Sequence, residues 1–239
     1  LQAAQARSAI EADVHAANLA LPRAGLVLLT WGNVSGRDPD TGLVAIKPSG
    51  VSYEALRPQD LVLVDLEGQV IEGELRPSSD TPTHLALYRA FPEIFGVAHT
   101  HSTYATAWAQ AGRPLPCYGT THADSFHGPV PLTAELTSQA VRGDYEGETG
   151  KAIVAALAGL DPRHVPGVLV VGHGPFTWGA SAAAAAENSI VLEEVARLAF
   201  LTESLNPEAQ PLSPLLLDKH FHRKHGAGAY YGQAELPPR

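Results

Sequence analysis

The stretch GVAHTHS, residues 96–102, decides how the rest of the sequence is interpreted. Its apolar start predicts a strand over 96–101, and Ser102 can cap a following helix over 103–111. Side chains two apart in a strand project to the same side, so His99 and His101 share a face with Cα atoms roughly 6.6 Å apart. Two imidazoles at that spacing can reach one metal ion.

A third histidine follows another apolar strand, in the run VLVVGHG at 168–174. The glycines on either side of His173 allow a tight turn close to a ligand. If neighbouring strand ends bring it beside His99 and His101, three neutral imidazoles would suit zinc with one position left open for water or substrate. Spacing alone leaves equally open that these are ordinary structural histidines.

The pattern of apolar and turn residues predicts six helices and six strands. The helices span 2–21, 82–90, 103–111, 149–159, 181–204 and 213–225, and the strands span 27–30, 43–47, 61–65, 70–71, 96–101 and 168–171. Their irregular alternation predicts an α/β fold in which helices cover both faces of a central mixed sheet, in three α/β/α layers. No linker or repeat divides the chain, so one domain over 1–239 is expected.

Composition narrows the choice of partners. The formal net charge of −9 argues against nucleic acid, because phosphate-backbone binders need a basic face. A single basic cluster, residues 219–225, is typical of a solvated helix face. No stretch has the roughly 18 apolar residues of a membrane span. Cys117 is the only cysteine, which fits a reducing compartment, and a cytoplasmic location is expected.

Three short segments of small residues could hold an anion. They are Gly32-Asn33, Ser49-Gly50 beside Lys47, and Ser78-Ser79. The third precedes the helix predicted from Pro82, whose free N–H groups favour a phosphate. Each segment on its own is more readily explained as an ordinary turn or cap.

Five segments together resemble the class II aldolase/epimerase superfamily, in the same order and over nearly the whole chain. They are LTWGNVS at 29–35, IKPSGV at 46–51, PSSDTPTH at 77–84, HTHS at 99–102 and HGPF at 173–176. Within the superfamily, GTTHAD at 119–124, KHFHRKHG at 219–226 and YYG at 230–232 are most similar to the pentulose-phosphate 4-epimerases.

The resemblance implies that the central mixed sheet is largely antiparallel, and it implies a role for each matching residue. It implies one zinc ion per subunit, held by His99, His101 and His173 with Asp80 at the same metal site. Asp124 and Tyr231 match an acid/base pair that reaches the site from the neighbouring subunit of a C4 homotetramer. Positions that match substrate-binding or supporting residues are Gly32, Asn33, Lys47, Ser49, Gly50, Ser78, Ser79, Thr120, Glu146, His220 and Arg223.

The implied activity is the interconversion of L-ribulose 5-phosphate and D-xylulose 5-phosphate. Because C4 carries no acidic proton, inversion there needs cleavage and re-formation of the C3–C4 bond, with zinc as Lewis acid. Related aldolases tend to carry Glu at the place of Asp80, where a longer arm can protonate the enediolate carbon, so the shorter Asp80 favours epimerisation. Arabinose and ascorbate catabolism both use such epimerases, and manganese or cobalt could occupy the same ligands.

Three alternatives follow from the same residues. An L-fuculose- or L-rhamnulose-phosphate type aldolase shares the superfamily, although Asp124, Tyr231 and the 220–223 segment argue against it. A non-catalytic zinc or sugar-phosphate binding protein would not need the acid/base candidates. A zinc hydrolase could also use three histidines, since such a site activates water.

Overall fold

In the computed structural model, which describes residues 2–232 and side chains from Ala9 onward, one seven-stranded sheet organises the chain. The strands are β1 Asn33–Arg37, β2 Val44–Ile46, β3 Val62–Val64, β4 Val70–Glu72, β5 Gly96–His99, β6 Gly167–Val170 and β7 Gly174–Gly179. The helices are α1 Gln2–Arg23, α2 Thr81–Ala90, α3 Thr103–Gln110, α4 Thr120–Ala123, α5 Ser138–Arg142, α6 Tyr145–Ala156, α7 Ala182–Leu205 and α8 Pro214–Lys224.

The strand order is β4-β3-β2-β1-β5-β7-β6, and each neighbouring pair is antiparallel. Within the described residues, parallel pairing is limited to an isolated bridge between Leu132 and Leu169. The predicted α/β class is confirmed. The sheet is more uniformly antiparallel than the mixed arrangement expected from the sequence.

Two hydrophobic clusters lie on opposite faces of the sheet. Successive strand residues divide between them: Val97 belongs to one cluster, with α2, α3, α6 and most of α7, whereas Ala98 belongs to the other, with α1 and the start of α7. This division follows from the alternation of side chains along a strand. Both faces are therefore covered by helices, in the three-layer arrangement that the sequence predicted.

The strand predicted at Val27–Thr30 is wrong. These residues form an irregular segment and a turn, and Leu29 has φ 54°, a left-handed conformation that a strand cannot contain. The strand begins later, at Asn33, because Gly32 turns the chain with φ 76°. There the Gly32 backbone approaches so closely that an added Cβ would lie 2.8 Å from the His99 carbonyl oxygen.

Other element boundaries also differ from the sequence prediction. The helix predicted from 149 begins at Tyr145, because the Asp144 side chain accepts a hydrogen bond from the Gly147 N–H and caps it. Strand β7, with the sequence GPFTWG, and the short helices α4 and α5 were not predicted. The ends of the expected 1–239 domain, residue 1 and residues 233–239, lie outside the described residues.

Gly96 lets β5 pass directly under the start of α7. A Cβ at this position would lie 2.1 Å from the Ser181 carbonyl oxygen, a contact that only a backbone shift could relieve. We expect Gly96→Ala to lower the free energy of unfolding by roughly 1–3 kcal/mol or more, measured by urea denaturation. The control is Gly228→Ala, where a Cβ meets nothing within 4 Å, so equal effects of the two substitutions would contradict this account.

Candidate metal centre and anion pocket

Three histidines meet at one end of the paired strands β5 and β7. His99 ends β5, His101 lies two residues further on, and His173 occupies the turn between β6 and β7. Their ligand nitrogens lie within 4.8 Å of one another, and His99 Nε2 is 3.0 Å from His101 Nε2. The structure therefore brings together the three imidazoles that the sequence singled out.

A hydrogen bond and a ring contact hold the His99 side chain in one orientation. Its Nδ1 donates to the Pro175 carbonyl oxygen at 2.9 Å, and its ring stacks on Phe176 with centroids 4.2 Å apart. The tautomer with hydrogen on Nδ1 leaves Nε2 as a lone-pair donor directed at the other histidines, as metal-binding histidines require. Burial lowers the pKa of His99 to about 3, so the ring is neutral near pH 7.

Asp80 lies in the same cavity, immediately before α2. Its Oδ2 accepts a hydrogen bond of 2.6 Å from Asn33 Nδ2, and Asn33 also donates to Ser78 Oγ at 3.0 Å. Burial opposes ionisation of Asp80, but the facing histidines and Asn33 hold its pKa below the usual value. In this cavity, the ligand atoms that lie within 4.8 Å of one another belong to the three histidines, and Asp80 is not part of that group.

A cavity of about 590 Å³ connects the histidines with all three segments of small residues. We call it the triad cavity. The sequence-predicted residues that line it are Gly32, Asn33, Lys47, Ser49, Gly50, Ser78, Ser79, Asp80, His99, His101, Glu146 and His173. Metal-type ligands and anion-binding groups therefore share one cavity, which only the tertiary structure could reveal.

Lys47 supplies a cation inside this cavity although only 2 % of its surface is exposed. Its Nζ lies 3.5 Å from the Thr30 carbonyl oxygen and 4.9 Å from the centre of the Tyr53 ring. Burial lowers the pKa of Lys47, because the charged form loses hydration that these two contacts replace only in part. Such a cation is an effective partner for an incoming anion.

Two aromatic residues of the cavity were missed from the sequence. The Tyr145 hydroxyl lies 3.3 Å from His173 Nδ1, and the Trp31 ring lies 6.2 Å from that of His101. Tyr145 was overlooked because the helix was predicted to start at 149, which left it in a loop. Asp144, with two acidic residues in the turn that follows, was the cap signal that could have placed it at a helix start.

The remaining predicted residues lie elsewhere. Asp124 follows α4 and is held by α8: Arg223 donates to both its carboxylate oxygens, at 3.0 and 2.6 Å, and His220 Nδ1 lies 3.0 Å from Oδ1. Burial works against ionisation, but Arg223 and His220 keep the pKa of Asp124 below its usual value. Tyr231 packs against the Arg223 and Lys224 cations, and Thr120 begins α4.

This second group lies at the opposite end of β5 from the histidines. Asp124 lines a separate cavity of about 490 Å³ together with Ile94, just before β5, and Gly179, the last residue of β7. The triad cavity lies beyond His99, at the other end of both strands. Within one chain, Asp124 and the predicted metal ligands therefore line different cavities, and Tyr231 packs against the Arg223 that holds Asp124.

Comparisons with known proteins agree with this architecture. Residues 12–200 match the family described as Class II Aldolase and Adducin N-terminal domain. Because that match covers more than half of the sequence, the chain belongs to this family. Among solved structures, an L-fuculose 1-phosphate aldolase superposes with a TM-score of 0.77 at 25% identity, covering 90% of this chain and 95% of its own.

The sequence comparison finds relatives whose names state an activity, which the family match does not. A protein of Salmonella paratyphi B (strain ATCC BAA-1250 / SPB7), named L-ribulose-5-phosphate 4-epimerase UlaF, is 54% identical over 224 residues, which is 94% of this chain and 98% of the relative. A protein of the same name from Salmonella typhi shows the same identity and coverage. The chain YgbL of Klebsiella pneumoniae, a putative aldolase/epimerase/decarboxylase, is 28% identical with a TM-score of 0.71, covering 89% of this chain and 98% of its own.

Buried neutral histidines make the stability of the protein depend on pH. Burial lowers the pKa of His122 to about 4, and its Nε2 contacts the Gly128 carbonyl oxygen at 2.8 Å. His122 takes up a proton near pH 6.5 in the unfolded state and near pH 4 in the folded state. The contribution of the neutral His122 to stability is therefore complete above pH 6.5 and is lost as the pH falls to about 4.

Between pH 6.5 and 4, we expect the free energy of unfolding of His122→Gln to fall by roughly 2–3 kcal/mol less than that of the wild type. The measurement is urea denaturation in the presence of chelator. The glutamine amide can still donate to Gly128. Wild-type protein in the same chelator-containing buffer serves as the reference at each pH. An unchanged pH slope in the variant would show that His122 does not contribute.

Proposed function

We propose that this chain is an L-ribulose-5-phosphate 4-epimerase that interconverts L-ribulose 5-phosphate and D-xylulose 5-phosphate. The observation that carries the proposal is the joining of a three-histidine cluster and a buried cation in one cavity of about 590 Å³. The relatives named for this reaction, 54% identical over 94% of the chain, support it.

We further propose one zinc ion per subunit, held by His99, His101 and His173 with Asp80 alongside. The donor set fits: His99 keeps its Nε2 free by donating from Nδ1, and an ionised carboxylate lies beside three imidazoles. A bound zinc ion supplies Lewis-acid stabilisation of negative charge on the ketose oxygens. The protein contributes the neutral state and the fixed orientation of its histidines.

The substrate phosphate belongs at the other end of the triad cavity. Lys47 provides the full positive charge, and Ser49, Gly50, Ser78 and Ser79 line the wall beside it. The hydroxyls and backbone N–H groups of these small residues can donate to phosphate oxygens. Holding the phosphate keeps the two-carbon aldehyde fragment in place while it rotates, which an epimerase needs and an aldolase does not.

Inversion at C4 requires proton transfer on two faces. A base takes the C4 hydroxyl proton as the C3–C4 bond breaks, and after rotation an acid returns a proton on the opposite face. We assign these roles to Asp124 and Tyr231. Asp124 is ionised and is fixed by Arg223 and His220. The Tyr231 ring is exposed and packs against two cationic side chains.

Because Asp124 lines a different cavity from the histidines, and Tyr231 packs against the Arg223 that holds Asp124, we infer that the complete site needs two chains. We therefore propose a C4 homotetramer in which Asp124 and Tyr231 of each subunit serve the triad cavity of its neighbour. A head-to-tail contact of this kind closes into a ring when its rotation returns to the first subunit, as C4 symmetry requires. We also propose a cytoplasmic location, which the free, buried Cys117 supports. No described helix is long and apolar enough to cross a membrane.

A class II aldolase is the second candidate, because the superposed L-fuculose 1-phosphate aldolase shares the fold over 90% of this chain. The two functions differ in what leaves the enzyme. An epimerase returns a five-carbon product, whereas an aldolase releases glycolaldehyde phosphate from L-ribulose 5-phosphate. Asp80, with a shorter side chain than glutamate, favours the epimerase because it limits proton delivery to the enediolate carbon.

The direct test is incubation with L-ribulose 5-phosphate and detection of D-xylulose 5-phosphate by a coupled assay. We expect epimerisation that chelator abolishes and added zinc restores, because the proposed charge stabilisation depends on the ion. Full activity in metal-free protein would contradict the metal assignment. Free glycolaldehyde phosphate as the main product would instead favour the aldolase.

Mixed tetramers test the shared site. His101→Asn and Tyr231→Phe should each be inactive alone, but co-expression should restore about a quarter of wild-type activity, because a quarter of randomly assembled sites then combine two intact halves. The matched control is His101→Asn with His173→Asn, both on the same half, which should restore nothing. Equal results for the two pairs would rule out sites shared between subunits.

A further inference from the structure

A second group of metal-type ligands lies outside both cavities. His127, in the loop after α4, lies with its Nε2 2.7 Å from Asp218 Oδ1, and the ligand atoms of His127, Asp218 and His222 all lie within 4.8 Å of one another. His127 is partly buried, whereas Asp218 and His222 are exposed. Neither the triad cavity nor the cavity beside Asp124 includes any of the three.

The helix presents these ligands on one face. Asp218 and His222 are four residues apart on α8, and residues at that spacing are neighbours one turn apart. His220 and Arg223, which hold Asp124, lie on the other side of the same helix, because each residue advances about 100° around the axis. One face of α8 therefore contacts Asp124, and the opposite face carries the second ligand group.

The buried Phe221 ring packs against both histidines of this group. It is 1% exposed, and its ring centre lies 4.8 Å from that of His127 and 5.5 Å from that of His222. The His164 ring packs against it edge-on at 5.0 Å. Packing on one buried aromatic ring restricts the rotamers of both imidazoles, so less side-chain entropy remains to be lost when they bind a common ligand.

We propose that His127, Asp218 and His222 form a second divalent metal site that fastens α8 to the segment after α4. Two imidazoles and one carboxylate suit Zn²⁺, Ni²⁺, Co²⁺ or Cu²⁺, with water completing the coordination. For both residues to bind the ion, His127 must carry its hydrogen on Nδ1, because Nε2 and the Asp218 carboxylate oxygen must each offer a lone pair. His127 lies three residues after Asp124, so the ion would hold together the two elements whose contact positions that carboxylate.

The test is metal binding by the full, chelator-stripped chain. We expect equilibrium dialysis at pH 7.5 to give two equivalents of Co²⁺ or Zn²⁺ per subunit. His222→Gln and His127→Gln should each lose one equivalent, while His101→Asn, in the triad cavity, should lose the other and keep this one. The matched control, His164→Gln, removes a neighbouring imidazole outside the ligand group and should retain two equivalents.

Two further readouts separate a specific site from loss of folding. In chelator, circular dichroism and the melting temperature of His222→Gln should equal those of the wild type, because His222 is exposed. Metal should then raise the melting temperature less in His222→Gln than in the wild type. A stoichiometry of one that His222→Gln leaves unchanged would overturn the proposal, as would a loss in His164→Gln equal to that in His222→Gln. Because His101→Asn isolates the second site, this outcome is independent of the proposed epimerase activity.

Discussion

The antiparallel pairing of β5 with β7 is the constraint on which the candidate site depends. His99 lies opposite Phe176, and the Pro175 carbonyl oxygen accepts hydrogen bonds from both the Thr100 N–H, at 3.3 Å, and His99 Nδ1, at 2.9 Å. This register places the turn that carries His173 beside the end of β5. Since a slip of one residue would turn every side chain of β5 to the other face, the same pairing that builds the core also assembles the histidines.

Much of this arrangement could be predicted from the sequence. The spacing of His99 and His101 predicted that their side chains point to the same side, and their Nε2 atoms do meet, although β5 ends at His99 and His101 lies beyond it. The small-residue segments were predicted only as separate anion-binding candidates, and the structure places all three in one cavity. The α/β class followed from the alternation of helical and strand patterns. Local signals were sufficient for the two histidines and for the fold class, because both depend on patterns along the sequence, whereas the shared cavity depends on tertiary contacts.

Local signals failed where tertiary contacts decide the conformation. β7 contains Gly174, Pro175 and Gly179, residues that are unfavourable in strands, and it is a strand because β5 and β6 pair with it on both sides. Val27–Thr30 shows the opposite case, since its strand-forming composition gives way to a turn at Leu29. The separation of Asp124 from the histidines likewise depends on the sheet, and no spacing along the chain reports it.

The polar floor of the triad cavity carries a cost in stability that a purely structural core would avoid. Among the described residues, the partners of the buried Lys47 Nζ are a carbonyl oxygen and an aromatic ring. Among the described side chains, Asn33 Oδ1 and His84 Nε2 are buried without a hydrogen-bond partner. Buried, incompletely satisfied polar groups are destabilising, and proteins retain them where a site needs preorganised charge.

The position of these groups supports that explanation. Asn33 donates to Asp80 and Ser78, and His84 receives support from a second layer, in which Ser35 Oγ lies 2.7 Å from His84 Nδ1 and 2.8 Å from the Tyr88 hydroxyl. The polar residues are thus fixed before any ligand arrives, so binding requires little rearrangement. In a chain with net charge −9, a buried lysine in such a fixed setting provides the local positive field that an anionic substrate requires.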